Sequence, residues 1–269
     1  METIGCAYDK MDQGRIAEGT GELIVEEPLL IAVAGKTVAT LMCTPGDEIP
    51  LTLGYLLTEG IIRSMANVGA IAFCREEAGN VVRVVPSNGC DLLSRVDAYR
   101  VVFSSCGICG REAIQAVTSC RPPFAKEKTR LSPHVIPELE RFMNFGQQYF
   151  RRTGGTHAAA LAQIEKGTIV DGSPIVKEDI GRHNALDKAV GEALMRGVPF
   201  DRSFLFLSGR ISFEMVAKAA RAGISDLAAV SAPTALAVEL ARQMGMLLVG
   251  FARGESAVVY SGKEALMVG

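Results

Sequence analysis

The chain has 269 residues, nearly half of them hydrophobic, and a formal net charge of −2 with a sequence pI near 6.0. That length suits one large domain or two smaller ones with a full apolar core, and the balanced charge argues against a chain built to coat nucleic acid. The seven cysteines are odd in number and irregular in spacing, which argues against a complete disulfide framework and suits a reducing cytoplasm.

The N-terminal stretch METIGCAYDKMDQGR has neither the apolar centre nor the cleavage pattern of a secretory signal. No apolar run approaches the ~18 residues of a membrane span. Residues 1 to about 20 are polar and glycine-containing and read as a loose arm. Glu22–Val33 and Lys36–Met42 read as two strands around the turn Ala34-Gly35. Thr44-Pro45-Gly46-Asp47 has helix-start chemistry, and Leu53, Leu56 and Leu57 follow at helical spacing up to Gly60. Val68–Cys74 and Asn80–Val85 predict a further strand pair, and Ala98–Phe103 one more strand. This half is α+β with antiparallel strands.

Two thiols, Cys106 and Cys109, then stand in a C-x-x-C spacing framed by Gly107 and Gly110. A short helical pattern follows, with Ala113, Ile114, Ala116 and Val117 on one face. A thiolate at a helix start is favoured by the N-terminal partial charge and loses its proton more readily than a free cysteine, whose pKa is about 8.5. The spacing also fits half of a zinc site, a thioredoxin-like exchanger, or two incidental thiols in a turn. Zinc needs two more closely spaced ligands, and no second C-x-x-C or C-x-x-H occurs. The exchanger motif opens a long helix early in a βαβ unit, whereas Pro122 and Pro123 follow soon here. Arg121–Arg130 reads as a basic exposed linker, either merely solvated or meeting an acidic partner through Lys126, Lys128 and Arg130.

Beyond Ser132-Pro133, Leu139, Phe142, Met143, Tyr149 and Phe150 predict one helix. His157–Ile164 predicts a strand, Arg182–Arg196 a helix, Ser203–Leu207 a buried strand and Ser212–Ala222 a helix. Leu227–Val230 is the next strand, a helix with Pro233 in its first turn runs to Met244, and Met246–Phe251 and Ala257–Tyr260 complete the pattern. Strands alternating with helices predict a sheet with parallel members covered on both faces, so the second half is α/β. The expected domains are 1–103 and 104–269.

Ligands of open α/β sheets bind where strands end and helices begin. Three such turns combine glycine with polar groups: Thr153–His157 (with Gly155, Thr156 and His157), Asp179–Asn184 (with Arg182 and His183), and Ser208–Ser212 (with Ser208 and Arg210). Helix N-termini and arginines there suit phosphate. The last strand feeds Phe251, Ala252, Arg253, Gly254, Glu255 and Ser256, which suits a nucleobase and its phosphate. The plainer readings are helix caps for Asp179 and Ser212, structural hydrogen bonds for His157 and His183, and surface ion pairs for the arginines. No H-x-x-H or H-E-x-x-H occurs, so no histidine metal site is expected.

Taken together, TPGDEIPLTLGYLLTEGII (44–62), SSCGICG (104–110), TGGTHAAAL (153–161), EDIGRHNALDK (178–188), SGRISFEMVAKAARAGI (208–224) and GFARG (250–254) resemble the formate dehydrogenase accessory sulfurtransferase family, FdhD, over about Glu22 to Tyr260. The resemblance implies a cytidine-deaminase-like layered α/β domain behind a smaller N-terminal α+β domain. The deaminase zinc signature itself is missing. It further implies a sulfur carrier that takes sulfane sulfur from a cysteine desulfurase and passes it to the molybdenum of a bis(molybdopterin guanine dinucleotide) cofactor for formate dehydrogenase. Cys106 is then the persulfide thiol, Cys109 a helper or relay, and Phe251–Ser256 the cofactor segment. Homodimers are common in that family. The rival classes are a chaperone that binds and inserts the cofactor without sulfur chemistry, and a zinc enzyme of deaminase type. Only sulfur transfer requires Cys106 to become persulfidated.

Overall fold

The computed structural model describes residues 1–76, 79–94, 110–124 and 131–267. The expected strand Ala98–Phe103, Cys106, Cys109 and most of the basic linker lie outside the described residues.

The first 24 residues are not a loose arm. They form an antiparallel ribbon of β1 (Thr3–Asp12) and β2 (Arg15–Ile24), paired in register from Thr3↔Ile24 to Asp12↔Arg15. The low apolar content concealed the strands, because this ribbon covers no core of its own. Asp12-Gln13-Gly14-Arg15 makes the turn, with positive φ at both central residues.

A four-stranded sheet follows in the order β4-β3-β6-β5, from β3 (Glu27–Val33), β4 (Lys36–Cys43), β5 (Val68–Glu76) and β6 (Gly79–Pro86). It is mixed rather than antiparallel throughout, since β3 and β6 run parallel. Helix α1 (Glu48–Thr58) lies between β4 and β5 and buries Leu51, Leu53, Leu56 and Leu57.

The second sheet runs β13-β12-β11-β10-β7, with β9 and the short β8 also paired to β7. Its strands are β7 (His157–Glu165), β8 (Thr168–Ile169), β9 (Ile175–Asp179), β10 (Ser203–Leu207), β11 (Asp226–Ala229), β12 (Leu247–Arg253) and β13 (Ser256–Ser261). Strands β10, β11 and β12 are parallel, and β7 opposes β10. The two faces carry separate apolar clusters. One is formed with α1, α2 (Gly110–Cys120), α5 (Arg182–Met195), α6 (Phe213–Ala222) and α7 (Ala235–Met244), the other with α3 (Val135–Gly146). The layered α/β arrangement expected of the second half is therefore present. Strand β9 escaped the pattern because Ile175-Val176-Lys177-Glu178-Asp179 buries its two carboxylates. The helix expected across Leu139–Phe150 is two, α3 and α4 (Gln148–Thr153), broken at Gln147, whose ψ is 74°. Pro233 precedes the cap of α7, Thr234, whose side chain accepts the Ala237 N–H. The described start of the linker is docked, with Phe124 N–H bonded to the Met244 carbonyl and Arg121 over the Phe124 ring.

The two sheets meet through α1 and α5, and they meet backbone to backbone. A Cβ on Gly54 would lie 1.7 Å from the Asp187 carbonyl oxygen, and one on Gly191 would lie 1.8 Å from that of Pro50. Beside this contact, Lys218 Nζ lies 2.6 Å from Glu59 and 2.8 Å from Asp187, while the Thr58 hydroxyl donates to Asp187 at 2.7 Å. Buried polar groups are thereby paired across α1, α5 and α6. Gly191→Ala forces the helices apart and is expected to cost about 1–3 kcal/mol or more, read from urea unfolding. An unchanged midpoint would show that the helices can separate freely.

Candidate functional site

Three chain turns converge at one edge of the second sheet. Strand β7 begins there with His157, β9 ends there at Asp179 opposite His157, and β10 ends there at Leu207 opposite Ala159. Helices α5 and α6 start from the same edge, so their N-terminal N–H groups are directed at it. Ser208 locks the strands: its hydroxyl accepts the Ala158 N–H at 2.8 Å and its own N–H donates to the Ala158 carbonyl at 3.0 Å.

Gly209 opens the floor of this crevice. A Cβ there would stand 3.4 Å from His157 Nδ1 and 3.9 Å from Arg182 Cδ, so the three residues are in mutual reach. Burial holds the His157 pKa below its ordinary 6.5, and the charges of Arg182, Arg210 and His183 push the same way. His157 is therefore a neutral imidazole beside a cationic cluster. His183 Nε2 lies 2.8 Å from the Glu214 carboxylate, which this contact holds below the usual carboxylate range. Arg182 Nε is buried without a hydrogen-bond partner among the described residues, and so is the hydroxyl of Ser212 at the cap of α6. A buried donor left unpaired costs free energy, and an anion between the two helix starts would satisfy it.

The turn residues are held by a buried frame. Asp179 is fully buried and accepts from Thr44 N–H at 3.0 Å, Gly181 N–H at 2.8 Å and Asn184 Nδ2 at 2.9 Å. Lys188 Nζ neutralises it at 2.8 Å and donates to the Thr44 carbonyl at 2.7 Å. Asn184 also donates to the Met42 carbonyl at 2.7 Å. Asp179 is thus more than a helix cap.

Not every expected residue faces the crevice. The Thr156 hydroxyl is buried and donates to Glu178 at 2.7 Å, so it secures the turn. Gly155 packs on Ile24 and Thr153. Arg210 is exposed at the rim. Phe251–Ser256 lies on the same sheet edge three strands from His157, about 14 Å away at ordinary strand spacing. Phe251 is exposed with φ +52°, and its N–H donates to the Ser231 carbonyl. Ala252 is buried, Arg253 Nε donates to the Val230 carbonyl, and Gly254 N–H is held by Glu140. Glu255 and Ser256 are exposed on the turn into β13. Sequence reasoning missed Glu214 as a partner of His183, since 31 residues separate them and no spacing rule links two helix starts.

Among the described cysteines, Cys43 is buried, and desolvation with the nearby Asp179 charge pushes its thiol up to about 12. It is not a nucleophile. The described residues hold no cluster of metal-ligating side chains, and none of their helices is long and apolar enough to cross a membrane.

Residues 24–267 match the model of the FdhD/NarQ family. The chain belongs to the FdhD/NarQ family. It is 42% identical over 267 residues to the sulfur carrier protein FdhD of Streptomyces coelicolor, covering 95% of this chain and 92% of that one. It is 40% identical over 251 residues to the sulfur carrier protein FdhD of Mycobacterium tuberculosis, covering 89% of each. Its fold is similar to a crystal structure of a putative formate dehydrogenase accessory protein from Desulfotalea psychrophila. That match has a TM-score of 0.77 at 24% identity and covers 99% of this chain and all of that one. In this FdhD/NarQ chain the family match contains both the crevice and the C-x-x-C motif.

Two outcomes follow from the geometry. Lys188→Met strands the buried Asp179 carboxylate and is expected to cost about 3–5 kcal/mol, measured by chemical unfolding; a loss below 1 kcal/mol would mean that Asp179 is not charged there. Because folding lowers the His157 pKa, the unfolded chain takes up the extra proton on acidification. The stability from neutral His157 is complete above pH 6.5 and lost as the pH falls toward the lowered folded value. His157→Gln is expected to melt with a shallower decline below pH 6.5. An identical decline in the variant would remove His157 as the group responsible.

Proposed function

We propose that this chain is a sulfur carrier that loads a persulfide on Cys106 and delivers its outer sulfur to a guanine-dinucleotide molybdenum cofactor bound in the crevice, for use by formate dehydrogenase. Family membership over nearly the whole chain, with curated relatives named as sulfur carriers, is the observation that carries this reading. The crevice supports it independently. Unpaired Arg182 Nε and Ser212 Oγ, two helix N-termini and a neutral imidazole suit phosphate oxygens, so the residues present fit the cofactor. Phe251, three strands along the same edge, is at a distance suited to a nucleobase when phosphate lies at Arg182.

In loading, the Cys106 thiolate attacks the outer sulfur of a persulfide on a cysteine desulfurase. The donor's S–S bond breaks and its cysteine leaves as a thiolate, so no net oxidation occurs. In delivery, the Cys109 thiolate attacks the inner sulfur. The persulfide bond breaks, sulfur departs at the sulfide level toward the acceptor metal, and a Cys106–Cys109 disulfide forms. A dithiol reductant then restores both thiols. His157, Arg182, Arg210 and the two helix starts hold the acceptor's phosphates, and Glu214 stands at ion-pair distance from His183 beside them.

The purified chain, incubated with a cysteine desulfurase and cysteine, is expected to gain one reductant-labile sulfur atom on the Cys106 peptide. Cys106→Ala should gain none there, and Cys109→Ala should load but release slowly. A full gain in Cys106→Ala would overturn the assignment. For the crevice, Arg182→Ala is expected to weaken GDP binding about tenfold or more, the scale of one lost charged hydrogen bond, by calorimetry. Equal affinity in variant and wild type would place the nucleotide elsewhere.

A further inference from the structure

The histidines that open β7 and α5 meet opposite surroundings. His183 already has a counter-charge, with its Nε2 2.8 Å from the Glu214 carboxylate. His157 has none. Burial holds its pKa below 6.5, and the charges of Arg182, Arg210 and His183 act in the same direction.

The carboxylates nearest to His157 are engaged elsewhere. Asp179, opposite it on β9, is neutralised by Lys188 and accepts from Thr44, Gly181 and Asn184. Glu178, the next residue back, accepts the Thr156 hydroxyl and the N–H groups of Tyr149 and Phe150. The turn after β10 brings only Ser208 and the exposed Arg210. Among the described residues, then, His157 faces cations and no carboxylate that is not already bonded.

The ring is nevertheless open to a ligand. The position that a Cβ on Gly209 would take lies 3.4 Å from His157 Nδ1 and 3.9 Å from Arg182 Cδ. An atom lodged there touches both side chains. Arg182 Nε and the Ser212 hydroxyl, both buried and unpaired among the described residues, call for an acceptor in the same place. An anion that satisfies them reverses the electrostatics around the imidazole. An opposite charge within about 4–6 Å favours the protonated ring. An imidazolium also offers two N–H donors where the neutral ring offers one.

We propose that the crevice takes its anion together with a proton, so that a pyrophosphate diester at Arg182 is held by a doubly protonated His157 and is let go as that proton is lost. This rests on the reading that the cofactor's phosphates lie in the crevice. The proton comes from solvent and adds to the lone pair of the ring nitrogen; no other bond forms or breaks. The sign follows from linkage. Binding raises the pKa of His157 from its lowered value in the free chain. The anion is therefore held most tightly below the free value, and the gain is lost as the pH rises through the bound one. Each unit of that rise is worth a factor of about ten in affinity. The same crevice can thus hold its ligand firmly or loosely with no change in fold.

Calorimetry of the full chain with GDP-mannose is the test. This probe is a guanosine pyrophosphate diester, so its phosphates have no proton to exchange near neutral pH, unlike the terminal phosphate of GDP. Titrations near pH 6.5 in MES and in ACES, which differ in heat of ionisation, count the protons taken up. The wild type is expected to take up about half a proton or more per ligand bound, and to bind about tenfold more tightly near pH 6 than near pH 8. His157→Gln, checked for folding by circular dichroism, should bind with little uptake and with an affinity that is flat over this range. His183→Gln should keep the uptake. The chain has three histidines, so imidazole NMR follows His157 without any variant, and its titration should move to higher pH when the ligand is bound. Binding without uptake, an uptake that survives in His157→Gln, one that disappears only in His183→Gln, or a His157 titration unmoved by the ligand would each overturn the proposal and leave nucleotide binding in place. No binding in either buffer would overturn the crevice reading and this inference with it.

Discussion

One buried ion pair decides where everything else can be. Asp179 and Lys188 are both almost completely excluded from solvent, and neither charge is tolerable there alone. Their remaining hydrogen-bonding capacity is taken up by Thr44, Gly181 and Asn184, which come from the loop before α1 and from the start of α5. One pair therefore fixes the end of β9, the first turn of α5 and the entry to α1 together. The crevice residues His157, Arg182 and His183 are neighbours of that frame, in register or in sequence. Their positions follow from it.

This arrangement separates two kinds of polar residue within one short stretch. In EDIGRHNALDK, Glu178, Asp179, Asn184, Asp187 and Lys188 face inward and are consumed by structural bonds. Arg182 reaches the Gly209 turn and still has a donor to spare, while His183 lines a neighbouring hollow with Tyr55, Phe213 and Glu214. A buried carboxylate and a ligand-binding arginine look alike in a sequence. What separates them is whether their hydrogen bonds close within the protein.

Much of the second sheet was legible, because buried parallel strands such as Ser203–Leu207 are continuous apolar runs and their helices carry clear stripes and glycine stops. The turns that build the crevice were legible for the same reason, as strand ends followed by helix starts. What the pattern hid was whatever broke the apolar rule. Strand β9 buries carboxylates, the ribbon buries nothing, and the break at Gln147 falls inside an unbroken amphipathic stripe. Thr156 and Arg253 were read as ligand contacts because their types suit one, yet Glu178 and the Val230 carbonyl already occupy them. The proposal of Cys106 as the reactive thiol rests on a motif and a family likeness. No periodicity distinguishes a carrier cysteine from an inert one, whereas burial at once sets Cys43 aside.

The contact of α1 with α5 through Gly54 and Gly191 has a consequence for how the chain comes apart. Two helices whose backbones touch cannot loosen singly, because neither has side-chain slack to take up. One of them belongs with the first sheet and the other with the second, so the melting of either sheet removes the wall on which the other rests. Among the described residues, the two sheets are therefore expected to lose their structure together rather than one at a time. A destabilising change in either sheet is thus felt at the turns around His157 and Arg182 as well, wherever in the body it is made.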